Sequence, residues 1–180
     1  SLVRDAERSA WMIGALVVAA TPLGMLALSL TGKDVARLVI ALIALSAFAA
    51  ILLPHRGNAL PGRGVTGAVG VLSGLMTGYA GMPGPPVVPF YAGRDLPRSI
   101  AKASMQLIFT IAASTGLASA LWLGVLRWQL LLFAVLILPV VIAGNRMGAS
   151  VSGRVSDPLW RASVGLVLGG AALAALIRLL

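Results

Sequence analysis

Residues 64–92 have the sequence GVTGAVGVLSGLMTGYAGMPGPPVVPFYA, and this apolar stretch decides the fold. Glycine recurs at every fourth position, at Gly70, Gly74 and Gly78, so one face of the predicted helix is small enough for a second helix backbone to approach closely. The motif GMPGPP at residues 81–86 then stops the helix, because proline lacks the backbone donor and glycine accepts positive φ. A second apolar piece follows at residues 87–92. The stretch therefore predicts one broken helix.

Two interpretations of the break remain open at this stage. Irregular backbone at membrane depth is tolerated only where it is buried in protein or lines a wet cavity. Broken helices of this kind are typical of a transporter's substrate site, because their ends present unpaired N–H and C=O groups. The alternative is a tight loop at the membrane surface between two ordinary helices. We favour the substrate site.

Composition places the chain in a membrane. Hydrophobic residues make up 59% of it, charged residues only 11%, and the mean hydropathy is +0.98. Ordinary soluble domains carry about 25% charged residues. The sequence predicts an all-α integral membrane protein with six hydrophobic helical elements, one of them broken. The predicted elements cover residues 11–30, 35–53, 64–92, 99–124, 128–148 and 159–180.

An internal repeat relates the first two spans to the last two. Trp11 precedes Pro22 by the same spacing that separates Trp128 from Pro139, and each pair is followed by a turn with a Gly-basic dipeptide.

This repeat divides the chain into residues 1–63, the end of a first repeat, and residues 64–180, a second repeat. No counterpart of the broken helix precedes the first span. We therefore expect an N-terminally truncated chain that needs either a missing N-terminal half or a second copy of itself as partner.

The formal net charge of +9 indicates contact with anionic lipid headgroups. A nucleic-acid partner is not predicted, because no aromatic residues interleave with the scattered basic ones. A second interpretation is that the positive field attracts an anionic solute. If the turns after the first and fifth spans are both cytoplasmic, eight of the fourteen basic residues lie inside, among them Lys33, Arg94 and Lys102.

Catalytic and metal chemistry find little support in the residues. The chain has no cysteine, and all five acidic residues lie in termini or turns. The single histidine, His55, lies in a polar connector, and a metal site needs several such ligands. Ser73 is not in a Gly-x-Ser-x-Gly elbow. We predict no enzyme, no metal and no cofactor.

The fourth span is the most polar one. Gln106, Thr110 and Ser114 share one face, and Ser104 lies off that line. This face either forms hydrogen bonds between helices or makes a donor-bearing wall opposite the break, and the sequence favours neither. The predicted substrate-binding residues lie on the broken helix or on this span: Gly78, Gly81, Gly84, Pro85, Pro86, Ser104, Gln106, Thr110 and Ser114. With N–H groups expected at a helix start after Pro86, the pattern favours a small anion as solute.

The stretch from Gly70 to Pro86 resembles the sulfite exporter TauE/SafE family. Its members have two repeated halves, each with a small-residue helix that runs into a glycine-rich break. The basic loop at residues 94–98, followed by Lys-Ala-Ser at residues 102–104, is similar to that family's entry to the next span. Pro83 stands where the family usually has glycine. The resemblance implies a bacterial inner-membrane permease for sulfite, sulfonates or other small sulfur-containing anions, without a cofactor.

Taken with the resemblance, the leading hypothesis is a carrier or facilitator that exports small sulfur-containing anions. An inside-negative potential favours monoanion exit by about 2.3 kcal/mol per 100 mV. The alternative is a non-transporting membrane subunit that packs with another chain through its glycine face. A membrane enzyme is a distant third.

Overall fold

The computed structural model describes residues 6–52, 62–94 and 96–152, which form six α-helices and no strand. The helices are α1 (Arg8–Leu30), α2 (Lys33–Leu52), α3 (Arg63–Ala80), α4 (Gly84–Ala92), α5 (Arg98–Trp122) and α6 (Trp128–Ser152). Three of them, α1, α5 and α6, are long and apolar enough to cross a membrane. The all-α class and the broken third element are confirmed. The span predicted at residues 159–180, and with it the internal repeat, lies outside the described residues, as does His55.

Helices α1 and α3 touch through their backbones. A Cβ atom added at Gly74 would lie 2.6 Å from the Cβ of Ala20, and one added at Gly78 would overlap the backbone of Thr21 and Met25. The predicted close approach of another helix at Gly74 and Gly78 is thus confirmed. Because the contacts advance from Ala20 to Met25 as they advance along α3, the two helices run in the same direction. The buried residues of α1 recur every three or four positions: Ala10, Ile13, Gly14, Val17, Ala20, Thr21 and Gly24.

Helix α5 runs in this direction as well. The backbone N–H of Glu7 donates to Ser104 Oγ at 2.9 Å, and Gly14, further along α1, faces the Ile111 side chain. Helices α1, α3 and α5 therefore begin on one side of the molecule, which we call the near side, and end on the far side. The chain has to return to the near side between α1 and α3, and again between α3 and α5.

Helix α4 makes the second of these returns. It starts beside the middle of α3, where Ser73 Oγ donates to the Pro83 carbonyl at 2.9 Å. It ends on the near side, where the hydroxyl groups of Tyr91 and Ser9 lie 2.9 Å apart. Residues of α1, α4 and α5 form the apolar core: Ala10, Ile13, Val17, Val87, Tyr91, Ile108 and Ala112. A nine-residue helix thus occupies the near-side half of the molecule.

The remaining two helices lie at the periphery. Helix α2 packs mainly against α4. Helix α6 has no buried residue in its apolar window and makes no extensive contact with the other described helices. Its apolar surface is thus not covered by any other described helix.

The helix directions assign the basic residues to sides that differ from the prediction. Arg94 forms an ion pair with Glu7 on the near side, whereas Lys33 follows the far end of α1. The predicted grouping of Lys33 with Arg94 and Lys102 on one side is therefore wrong. Five described basic residues lie on the near side: Arg8, Arg63, Arg94, Arg98 and Lys102. Three lie on the far side: Lys33, Arg37 and Arg127. Arg146, on the unpacked α6, is not assigned to a side.

Candidate substrate site

The break between α3 and α4 is a short turn of three residues. Gly81 has φ of 68°, a left-handed conformation that glycine adopts without a steric penalty. Its N–H donates to the Thr77 carbonyl at 2.9 Å, and the N–H of Met82 donates to Met76 at 3.3 Å. These bonds close the end of α3 in the manner of a glycine C-cap. Gly81 and Met82 are exposed, so the turn itself is open to its surroundings.

The start of α4 lies deep in the molecule. Ser73, which holds the Pro83 carbonyl, is ten residues beyond Arg63, which corresponds to about 15 Å along α3. That distance is half of a hydrocarbon layer about 30 Å thick. Ser73 is fully buried, and its own carbonyl accepts a hydrogen bond from Thr77 Oγ1 at 2.6 Å. A buried side-chain bond therefore holds the start of α4 at mid-depth.

The first turn of α4 offers few backbone donors. The helix begins at Gly84, so the prediction that a helix starts after Pro86 is wrong. Proline is tolerated in the first turn of a helix because the N–H groups there have no intrahelical partner. Since Pro83, Pro85 and Pro86 carry no N–H, only Gly84 contributes a donor among these four residues. The helix start alone is a weak anion binder.

A polar network closes the near-side end of α4. Arg94 donates from both terminal nitrogens to the two carboxylate oxygens of Glu7, each at 2.6 Å. The guanidinium carbon lies 5.3 Å from the centre of the Phe90 ring and 5.9 Å from that of Tyr91. Ser9 Oγ also donates to Glu7, at 2.9 Å. The network connects the start of α1 with the loop after α4.

Sequence analysis missed this network. The sequence places Glu7 in a polar terminus and Arg94 in a basic loop, and no local pattern connects them because the two residues are 87 positions apart. The only signal in the sequence was the Arg94 loop followed by Ser104, which is fully buried and accepts from the Glu7 N–H. Of the predicted site residues, Ser104 is the one that the structure joins to this network.

The polar stripe of α5 lies elsewhere. Gln106, Thr110 and Ser114 are exposed, and Thr110 Oγ1 donates to the Gln106 carbonyl of its own helix at 2.8 Å. The face that packs against the other helices carries Ser104 and Ile108 instead. The structure therefore does not bring the stripe beside the break, and its role in substrate binding stays a prediction.

The predicted residues of the broken helix fall into two groups. Gly78 is buried against the backbone of α1, so its described role is packing. Gly84, Pro85 and Pro86 are partly buried at the start of α4, and no atom lies within 4 Å of a Cβ added at Gly81. These four residues form the surface of the break, and the buried Ser73 holds the Pro83 carbonyl behind them. The sequence indicates only that Ser73 is an unlikely nucleophile and does not predict its bond to Pro83.

A family profile matches the chain. No curated protein and no solved structure gives a significant match to the chain. The sequence profile of the family described as "Sulfite exporter TauE/SafE" matches residues 4–175, nearly the whole chain. A long glycine-faced helix, a glycine–proline break and a short returning helix lie inside that match, and the chain belongs to the sulfite exporter TauE/SafE family.

Proposed function

We propose that the chain is a multi-pass protein of the bacterial inner membrane that exports a small sulfur-containing anion such as sulfite or an organosulfonate. Membership of a membrane transport family supports transport of a sulfur-containing anion as the general activity. The single observation that carries the proposal is helix α4, which starts at mid-depth beside Ser73 and returns to the near side. Half-helices that end near the bilayer midplane form the substrate sites of many transporters.

The energetics of the break suit release as well as binding. One N–H group at Gly84 and the positive end of the short α4 dipole attract an anion weakly. A net hydrogen bond contributes only about 0.5–1.5 kcal/mol, so a site of this kind holds a solute loosely. A transport site has to release its substrate on the other side, and a loosely held anion meets that requirement.

The charge distribution supports an orientation. Apart from Arg146, five described basic residues lie near the near side and three near the far side. Cytoplasmic loops carry the excess of lysine and arginine, so we place the near side in the cytoplasm. Helix α4 then leads from the cytoplasmic surface to mid-depth. An inside-negative potential drives a monoanion along this path outward, by about 2.3 kcal/mol per 100 mV.

Flux measurements in proteoliposomes test the function. Sulfite, sulfoacetate, thiosulfate and chloride are compared in parallel with an imposed membrane potential of either sign. We expect movement of one or more sulfur-containing anions toward the positive side, and slower movement of chloride. Absence of flux for all four anions would favour the alternative function, a membrane subunit that packs with another chain.

Variants locate the substrate path. Ser73→Ala and Gly84→Ala alter the break, whereas Gln106→Ala and Thr110→Val alter the exposed stripe of α5. We expect Ser73→Ala, which removes the hydrogen bond to the Pro83 carbonyl, to reduce flux by roughly tenfold. Gly84→Ala keeps its N–H and adds only a methyl group, so its effect on flux should be smaller. A larger effect of the α5 variants would instead place the path along the stripe, with a second surface covering α5. Lys33→Gln, on the far side, is the control for long-range attraction and should lose its effect at high salt.

A further inference from the structure

Arg94 differs from the other basic residues of the chain. Its side chain is only 11% exposed, whereas every other lysine or arginine whose side chain the structure describes is exposed. Its guanidinium carbon lies within 6 Å of the centres of two aromatic rings, Phe90 and Tyr91, which limit the space in which the side chain can move. A planar guanidinium held in this way presents a rigid fork of donors that matches an oxyanion.

The fork is occupied by an anion that belongs to the chain itself. The two oxygens of Glu7 accept from the two terminal nitrogens of Arg94, and one of them also accepts from Ser9 Oγ. Because the single hydroxyl proton of Ser9 goes to Glu7, Tyr91 has to be the donor in the 2.9 Å contact between the Tyr91 and Ser9 hydroxyl groups. Three donors therefore converge on one carboxylate, and Tyr91 supports the third.

We propose that this cluster is an anion-binding site for a small –SO₃ group, and that the Glu7 carboxylate is its displaceable internal occupant. Two donors of Arg94 and one of Ser9 match the three oxygens of a sulfite or a sulfonate, whereas the carboxylate uses one of its two oxygens twice. Displacement of Glu7 breaks no covalent bond and exchanges one charge-assisted pair for another.

The position of the cluster fits the entrance of a path. Glu7 and Arg94 lie on the near side, at the end of α4, and the other end of this helix is the break at mid-depth. The start of α4 lacks backbone donors because of its prolines, whereas its end has side-chain donors on Arg94 and Ser9. This inference rests on the proposed function for its choice of anion and adds the site at which that anion is first bound.

The two members of the ion pair give the test. Binding of sodium sulfite to the purified full chain in detergent is measured by titration calorimetry at one fixed pH, with sodium chloride as the reference salt. Arg94→Gln should weaken sulfite binding by at least about tenfold. Glu7→Gln should tighten it by about tenfold, which corresponds to a parent fork that is free in about one molecule in ten.

The opposite expected changes in sulfite affinity distinguish an anion-binding site from an ion pair that only holds the structure together. If the pair only holds α1 to the loop after α4, both substitutions weaken binding or leave it unchanged, and either result overturns the proposal. Arg94→Lys, which keeps the charge but not the fork, should bind more weakly than the parent, and it replaces Arg94→Gln if that variant does not fold. The exposed ion pair of Arg37 and Asp34 is the matched control, and Asp34→Asn should not change the affinity.

The binding measurement is independent of transport. A chain that binds sulfite with these signs but moves no anion would refute the proposed export and leave the site standing. A chain that exports sulfite while its affinity is the same with and without Arg94 would refute the site and leave the export standing.

Discussion

The backbone contact between α1 and α3 makes a sharp prediction about Gly78. A Cβ atom at this position would overlap the Thr21 carbonyl oxygen and would lie 2.6 Å from the Met25 nitrogen, which is 0.8 Å short of the 3.4 Å where ordinary contact begins. Backbone atoms cannot rotate away, so Gly78→Ala has to push the helices apart. Overpacking of this kind costs typically about 1–3 kcal/mol. We expect Gly78→Ala to lower the free energy of unfolding by this amount, and Gly78→Leu by more.

Gly67 provides the matched control on the same helix. A Cβ there would meet only the mobile end of Met12, at 3.8 Å. Gly67→Ala should therefore be neutral or stabilising, since alanine is a better helix former than glycine by about 1 kcal/mol. Unfolding in mixed detergent micelles, followed by circular dichroism, measures both variants. Equal stability of Gly78→Ala and Gly67→Ala would refute the close packing of α1 on α3.

Three further predictions concern single groups. Ser73→Ala removes the hydrogen bond to the Pro83 carbonyl and should lower the free energy of unfolding by about 1 kcal/mol in the same assay. Tyr79 Oη is buried without a hydrogen-bond partner in the described part of the chain, so Tyr79→Phe should be neutral or stabilising; a loss of flux without a loss of stability would instead give this hydroxyl a role in transport. Because the chain has no cysteine, Lys102→Cys and Lys33→Cys each create a single thiol. Impermeant thiol reagents applied to intact cells should label the Lys33 variant and spare the Lys102 variant, and the reverse pattern would invert the proposed orientation.

The regular helices were predictable because their signals are local. The four unbroken spans inside the described residues were placed within four residues of their observed ends. The glycine repeat at Gly74 and Gly78 also predicted a close helix contact, since only small residues admit one. Which helix makes that contact was not predictable, because the pattern on α3 says nothing about its partner.

Two features of the site depend on information that is not local. Pro85 and Pro86 were interpreted as stops, but in the first turn of a helix proline is compatible with helical geometry, so α4 begins earlier than predicted. The pair of Glu7 and Arg94 forms only because α1, α4 and α5 meet on the near side, and single charges in two distant loops do not indicate this meeting. Periodicity likewise showed that Gln106 shares a face with its polar neighbours but not that this face is exposed.

The prolines of the break explain how a helix can begin at mid-depth. An unpaired backbone N–H group in a hydrocarbon environment costs several kcal/mol, and an ordinary helix start has four of them. Pro83, Pro85 and Pro86 remove three donors from the start of α4, and Ser73 satisfies one carbonyl there. The prolines that lower the free-energy cost of this buried helix start also remove the N–H groups that usually bind anions. In the proposed path along α4, an anion is therefore bound first by side chains, and the donors described along this helix are concentrated at its near-side end around Arg94.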